Sequence, residues 1–231
     1  MLFSIFRNDS YDLRTKITLA VFSIVIVVVS LTIHELSHGL TAYALGDSTA
    51  KNRGRLTLNP LKHLNPIGAV SMLLFGIGWA EPVPINPANF KHRKAGMAVT
   101  ALAGPLSNII LAFIALFAET LCYNGLMNAT FATESEIYTS PLFLLYLFFT
   151  LMHTMNLYLA IFNLIPIPPL DGSRILFIFL PSQYYFKVMK YERYMALGLV
   201  LLFYLNILDK PLAFIVNGIS SGMQSLINLI I

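Results

Sequence analysis

The chain has 231 residues, 57% of them hydrophobic and 11% charged, with a mean hydropathy of +0.72; soluble domains carry about 25% charged residues, so an ordinary soluble fold is excluded and a polytopic membrane protein is expected. The formal charge of +4 comes from short basic loops, which report topology and anionic headgroups, and with no basic-aromatic array no nucleic-acid partner is expected. The single cysteine, Cys122, excludes an intramolecular disulfide and a cysteine-built zinc site, leaving His, Asp and Glu as possible metal ligands.

The first apolar run, near 17–39, is long enough to cross about 30 Å of hydrocarbon and contains His34-Glu35-Leu36-Ser37-His38. Between Ile17 and Gly46, Glu35 is the only charged residue. Residues four apart share a helix face, so His34 and His38 can offer nitrogens to one ion while Glu35 points about 100° away beside it. The pattern H-E-x-x-H on a helix is a zinc metalloprotease signature in which the glutamate is the general base. An ionisable residue at bilayer depth costs roughly 2.5–3.5 kcal/mol on insertion scales, so three together point to function and not to anchorage. No small-residue cleavage site follows the run, which therefore reads as a retained helix and not a signal peptide, in a chain expected to be full length.

From Gly46 to Lys94 the texture changes to Pro, Asn, Gly and basic residues, as in Arg55 through Pro60 and Trp79 through Pro87, which read as extended or turn segments. A shorter apolar stretch, 67–79, interrupts them. Longer runs follow near 96–121 and 141–165, then 194–208 and 211–231, the last two separated by Asp209-Lys210-Pro211, a helix stop and restart. The expected fold is an all-α polytopic membrane protein with about five to six transmembrane helices and a short re-entrant or extended segment between the first two long ones. It forms a single domain over 1–231, with a catalytic core at 17–175 and C-terminal helices at 194–231.

Lys and Arg in short loops favour the cytoplasm. Loops 46–66, 80–95 and 166–193 hold four, three and four of them, whereas 122–140 holds none. If 67–79 re-enters, these eleven share one side and Arg7, Arg14, Lys16 and Lys210 take the other; if it crosses, the split is ten to five, so charge barely discriminates. Metal geometry discriminates better. A catalytic zinc usually has three protein ligands and a water, so a third ligand is required. Asp171, turned back near membrane depth by Pro166, Pro168 and Pro169, is the best candidate, and His153, in line with Asn156 and Asn163 on one helix face, is its rival. For Asp171 to meet the histidines, the first run and the 141–165 run must point the same way, which favours re-entry of 67–79, with the site toward the cytoplasmic side.

The chain resembles the site-2 protease family of intramembrane zinc metalloproteases. The resemblance rests on His34-Glu35-Leu36-Ser37-His38, on Asn163 through Gly172 against the family's N-x-x-P-x-P-x-L-D-G pattern, and on Gly104-Pro105-Leu106-Ser107-Asn108 against its G-P-x-x-N element. Asn59 through His63 and Trp79 through Pro87 look like segments of its small members, so most of 30–175 is covered. The resemblance implies one zinc per chain bound by His34, His38 and Asp171, with Glu35 as catalytic acid and base, and support of the site or substrate by Asn108 and Asn163. It further implies a transmembrane protein or peptide as substrate. No inserted PDZ or cystathionine-synthase-type domain is visible. His63 is a further contact candidate. The 54–87 region can serve either as an extended edge that pairs with an unwound substrate or as a plug over the site. Trp79, Tyr11 and Tyr138 read as interfacial anchors, and His92 as part of a solvated basic loop. The competing reading is a membrane zinc transporter or non-proteolytic metal-binding scaffold. The basic loops and lack of organelle signals fit a prokaryotic inner membrane; oligomeric state and substrate identity have no readable signal.

Overall fold

A computed structural model describes residues 12–63, 65–75, 81–181 and 187–231. Arg7 and the proposed anchors Tyr11 and Trp79 lie outside them, as does the end of the 67–79 stretch.

Helix α1 (Leu13–Ala44) starts where the Asp12 carboxylate accepts the Thr15 N–H at 3.0 Å, satisfying one of the donors a helix start leaves unpaired. A short α2 (Thr49–Asn52) and a 3-10 turn at Pro60–Lys62 lead to α3 (Pro66–Phe75). Its ten described residues reach about 15 Å. Residues 81–86 run without helix or strand into a second 3-10 turn, Pro87–Asn89, before α4 (Arg93–Asn128). After α5 (Glu134–Thr139), Ser140 caps α6 (Pro141–Asn163) by accepting the Phe143 N–H at 3.1 Å, with proline at the first helical position, where its missing N–H is not needed. Then come α7 (Asp171–Leu176), α8 (Glu192–Tyr204) and α9 (Asp209–Ile227).

The described residues are helical, without strands. Helices α1, α4 and α6 are long and apolar enough to span a membrane, and the α8–α9 pair, bent by 83°, brings the number to four if it is counted as one span. Among the described residues this measure gives three to four spans and does not confirm the five to six expected. The α8–α9 break falls earlier than the Asp209-Lys210-Pro211 punctuation: it lies at Leu205–Leu208, where Asn206 takes a left-handed φ of 56°, which asparagine tolerates better than most residues. Pro211 sits inside the first turn of α9, a position whose N–H has no intrahelical partner.

Helices α4 and α6 pack along each other, α1 lies against α4, and α9 closes a small apolar core with Ala112, Leu116, Leu157, Ile161, Val216 and Ile227. Elsewhere the apolar faces point outward: Ile17, Val21, Leu106, Ile110 and Ile114 are each about half exposed. Such a surface is stable where the surroundings are lipid.

Candidate metal centre

Helix α1 delivers three buried ionisable groups to one place. His34 and His38 meet edge to face, with ring centroids 4.7 Å apart, and each Nε2 lies 3.1 Å from the same oxygen, Oδ2 of Asp171. Among the described residues this trio is the group of His, Cys, Asp and Glu able to hold a metal ion. Asp171 reaches it because the chain doubles back after α6. Gly172 permits the doubling, since a Cβ there would lie 2.2 Å from the Leu164 carbonyl oxygen.

The second ring nitrogens decide what the first can do. The two amide hydrogens of Asn108 point to the Asn156 Oδ1 at 2.8 Å and the Ser30 carbonyl at 3.4 Å, so its Oδ1 faces His34 and accepts from Nδ1–H at 2.5 Å. His38 Nδ1–H donates to the Thr100 carbonyl at 2.7 Å. With both rings neutral, the two Nε2 atoms turn lone pairs toward the same carboxylate oxygen, an arrangement of three acceptors. A cation satisfies that donor set, and two imidazoles with a carboxylate are a ligand set of catalytic zinc sites. Asn156 is anchored in turn by donating to the Met152 carbonyl at 2.8 Å, so a polar chain runs from α6 through α4 to a ligand on α1. Asn108→Ala should lower zinc affinity by about 10- to 100-fold, the usual scale for losing a partner of a ligating histidine; competition against a chelating dye measures it.

Glu35 lies beside the trio and accepts the Val83 N–H through Oε2 at 2.9 Å. Val83 belongs to a strap, residues 81–86, tied down along its length. The Glu81 N–H donates to the His63 carbonyl at 2.7 Å, Arg55 Nη2 donates to the Glu81 carbonyl at 2.6 Å, and the Asn86 N–H donates to Asp47 Oδ2 at 2.6 Å. Val83 packs over Gly39, where an added Cβ would lie 3.2 Å from Val83 Cγ1 and 2.7 Å from Leu56.

Asp47, fully buried just past α1, also accepts from Asn89 at 2.7 Å and from Thr49. Burial pushes its carboxyl up, but the donors from Thr49, Asn86 and Asn89 prevail and hold it below the usual carboxylate range. A depressed folded-state pKa means this latch contributes fully above the unfolded value of about 3.9 and is lost as pH falls through the lowered one. Asp47→Ala would orphan the Asn86 N–H and the Asn89 amide, so a cysteine placed at Ile85 should label with maleimide several-fold faster than with Asp47 present. Cys122 is buried, so the background is low.

Three candidates lie elsewhere. Asn163 donates to the Leu159 carbonyl of its own helix at 2.9 Å, leaving the supporting place expected of it to Asn156, one polar residue earlier on α6. His63 is fully buried and donates from Nε2 to the Thr57 carbonyl at 2.7 Å, bracing the strap. His153 faces away from the trio, between the Ala112 carbonyl and Ser220. Sequence reasoning assigned no role to Thr100, which acts through a carbonyl that any residue has, or to Asp47, whose only signal was an acid between Gly46 and Ser48.

Residues 22–205 match Peptidase family M50, most of the chain. The protein belongs to this family of membrane-embedded zinc metalloproteases. It is 41% identical to YwhC of Bacillus subtilis, provisionally named a zinc metalloprotease, over 81% of this chain and 82% of that one. Rip2 of Mycolicibacterium smegmatis, named in the same way, is 32% identical over 66% of this chain and 55% of its own length. MJ0611 of Methanocaldococcus jannaschii is 28% identical over 67% and 72%. No solved structure matches. For this family member, zinc is the ion that the trio of His34, His38 and Asp171 fits.

Proposed function

We propose that the protein is an intramembrane endopeptidase that hydrolyses peptide bonds in or near transmembrane segments of other membrane proteins. The observation that carries this reading is the meeting of Asp171 with two buried histidines inside a membrane-length helix, with Glu35 beside them and one backbone N–H already on its carboxylate. His34, His38 and Asp171 would hold the ion. Bound there, zinc supplies a Lewis acid that polarises the scissile carbonyl and acidifies water.

The remaining steps belong to the chain. Asn108 and the Thr100 carbonyl keep both imidazoles in the tautomer that offers Nε2. Glu35 takes a proton from the attacking water as its oxygen bonds to the carbonyl carbon, then delivers that proton to the amide nitrogen as the C–N bond breaks. The Val83 N–H holds Oε2 of Glu35 and so orients the carboxylate, leaving Oε1 to carry the proton. A substrate helix must unwind, because its carbonyls are otherwise held in helical hydrogen bonds.

With α3 dipping in and returning, the basic loops 46–66, 80–95 and 166–193 fall on one side, which we assign to the cytoplasm of a prokaryotic inner membrane. In membranes of cells carrying Glu35→Gln, single-span proteins or stubs should accumulate uncut relative to wild type. Identical membrane proteomes, with zinc bound and the protein expressed, would favour a non-proteolytic zinc scaffold.

A further inference from the structure

Polar residues continue beyond the metal centre. Glu119 lies eleven residues after Asn108 on α4, about 16 Å further along the axis. It lines a cavity of about 460 Å³ between α4, α6 and α9 that has no Lys or Arg among its lining residues. Its carboxylate is short of donors. Oε1 receives the Thr150 hydroxyl at 2.9 Å, but that single proton is shared with the Tyr146 carbonyl, also at 2.9 Å, and Oε2 is buried with no partner. Three lining residues spend their donors elsewhere: His153 on the Ala112 carbonyl, Ser220 on His153, and the Gln224 amide on Thr120 and Asn228.

The outer wall of the cavity is open. Thr154 and Tyr158 on α6, and Asn217 and Ser221 on α9, line it and are exposed. Beside them on α9, a Cβ added at Gly218 or Gly222 would meet nothing within 4 Å. Glycines four apart on a membrane helix let another helix approach closely, and polar side chains beside them can bond across the contact. Ionisable groups on membrane helices are expected to face a partner.

We propose that the groove between α6 and α9 docks a transmembrane helix of a second membrane protein, one with small residues on the contacting face and a single lysine or arginine opposite Glu119. The charge fits in one direction only: among the described lining residues the groove offers a carboxylate with one shared donor and no Lys or Arg to pair with it. The contact rests on the membrane setting and not on catalysis, so it stands or falls separately from the proteolytic reading.

The test uses the full chain in lipid nanodiscs and a synthetic leucine-rich transmembrane peptide with a Gly-x-x-x-Gly face, carrying either lysine or norleucine at mid-depth. The lysine peptide should bind about tenfold tighter. Glu119→Gln, nearly isosteric, should erase that difference while zinc content stays unchanged, and Gly222→Leu should weaken both peptides. Equal binding of the two peptides by the wild-type chain, which needs no variant, overturns the proposal, as does a lysine preference that survives Glu119→Gln. Dimers of the chain that vanish with Gly222→Leu, with no discrimination between peptides, overturn it in favour of self-association.

Discussion

Glu35→Gln is expected to keep one zinc per chain and to lose turnover by about 10²- to 10⁴-fold, the range assigned to general acid–base catalysis. The two effects separate because Glu35 is not one of the three groups converging on the metal position. Its carboxylate is held by the Val83 N–H at 2.9 Å, and the glutamine carbonyl oxygen can accept the same bond, so the strap stays docked. What the amide cannot do is take a proton from water and pass it to a leaving nitrogen. Zinc by atomic emission and cleavage of a fluorescent transmembrane peptide in micelles measure the two quantities on one preparation. Loss of zinc together with activity would make Glu35 a ligand, and turnover near wild type would remove it from the chemistry.

The parts of this site legible in the sequence are those set by spacing along one helix. His34 and His38 fall on one face of α1 by helical geometry alone, and the unusual presence of charge in a run from Ile17 to Gly46 marks the place. Asp171 was a candidate on its proline-rich approach, but whether it or His153 completes the trio depends on how far the chain doubles back after α6. Close backbone contact at Gly172 sets that, and no periodicity reports it. Asn156 and Asn163 have the same chemistry, seven residues apart on α6; only the packing of α4 against α6 decides that Asn156 reaches Asn108. The strap was legible as an extended, proline-rich segment, while its latch was not. Asp47 acts through four donors gathered from residues 49, 86 and 89, a long-range convergence that a local pattern cannot show. Helix count suffered for a related reason: apolar length suggests spans, but whether α8 and α9 are two spans or one bent one is set by an 83° turn at a break that composition placed a few residues late.

Gly104→Ala should empty the metal site without removing any ligand. A methyl at residue 104 would lie 2.4 Å from His38 Nε2, 2.5 Å from His38 Cε1 and 2.6 Å from His34 Nε2, against about 3.5 Å for an ordinary contact. Retreat is blocked on both sides. Each imidazole is pinned through Nδ1 to α4 itself, His34 to Asn108 and His38 to Thr100, so moving α4 away carries the pins with it, and moving the rings breaks them. Zinc per chain should fall at least tenfold below wild type under equal loading, the low end of what disturbing such partners costs, while helix content by circular dichroism is retained. Gly218→Ala, where the added carbon meets nothing within 4 Å, should bind zinc normally and so controls for a helix glycine as such. Asp171→Ala gives the contrasting case: it removes one ligand and leaves the two nitrogens accessible, so excess zinc should partly restore occupancy there and not in Gly104→Ala. Full zinc in Gly104→Ala would mean that α4 does not approach the histidines as closely as the Thr100 and Asn108 hydrogen bonds require.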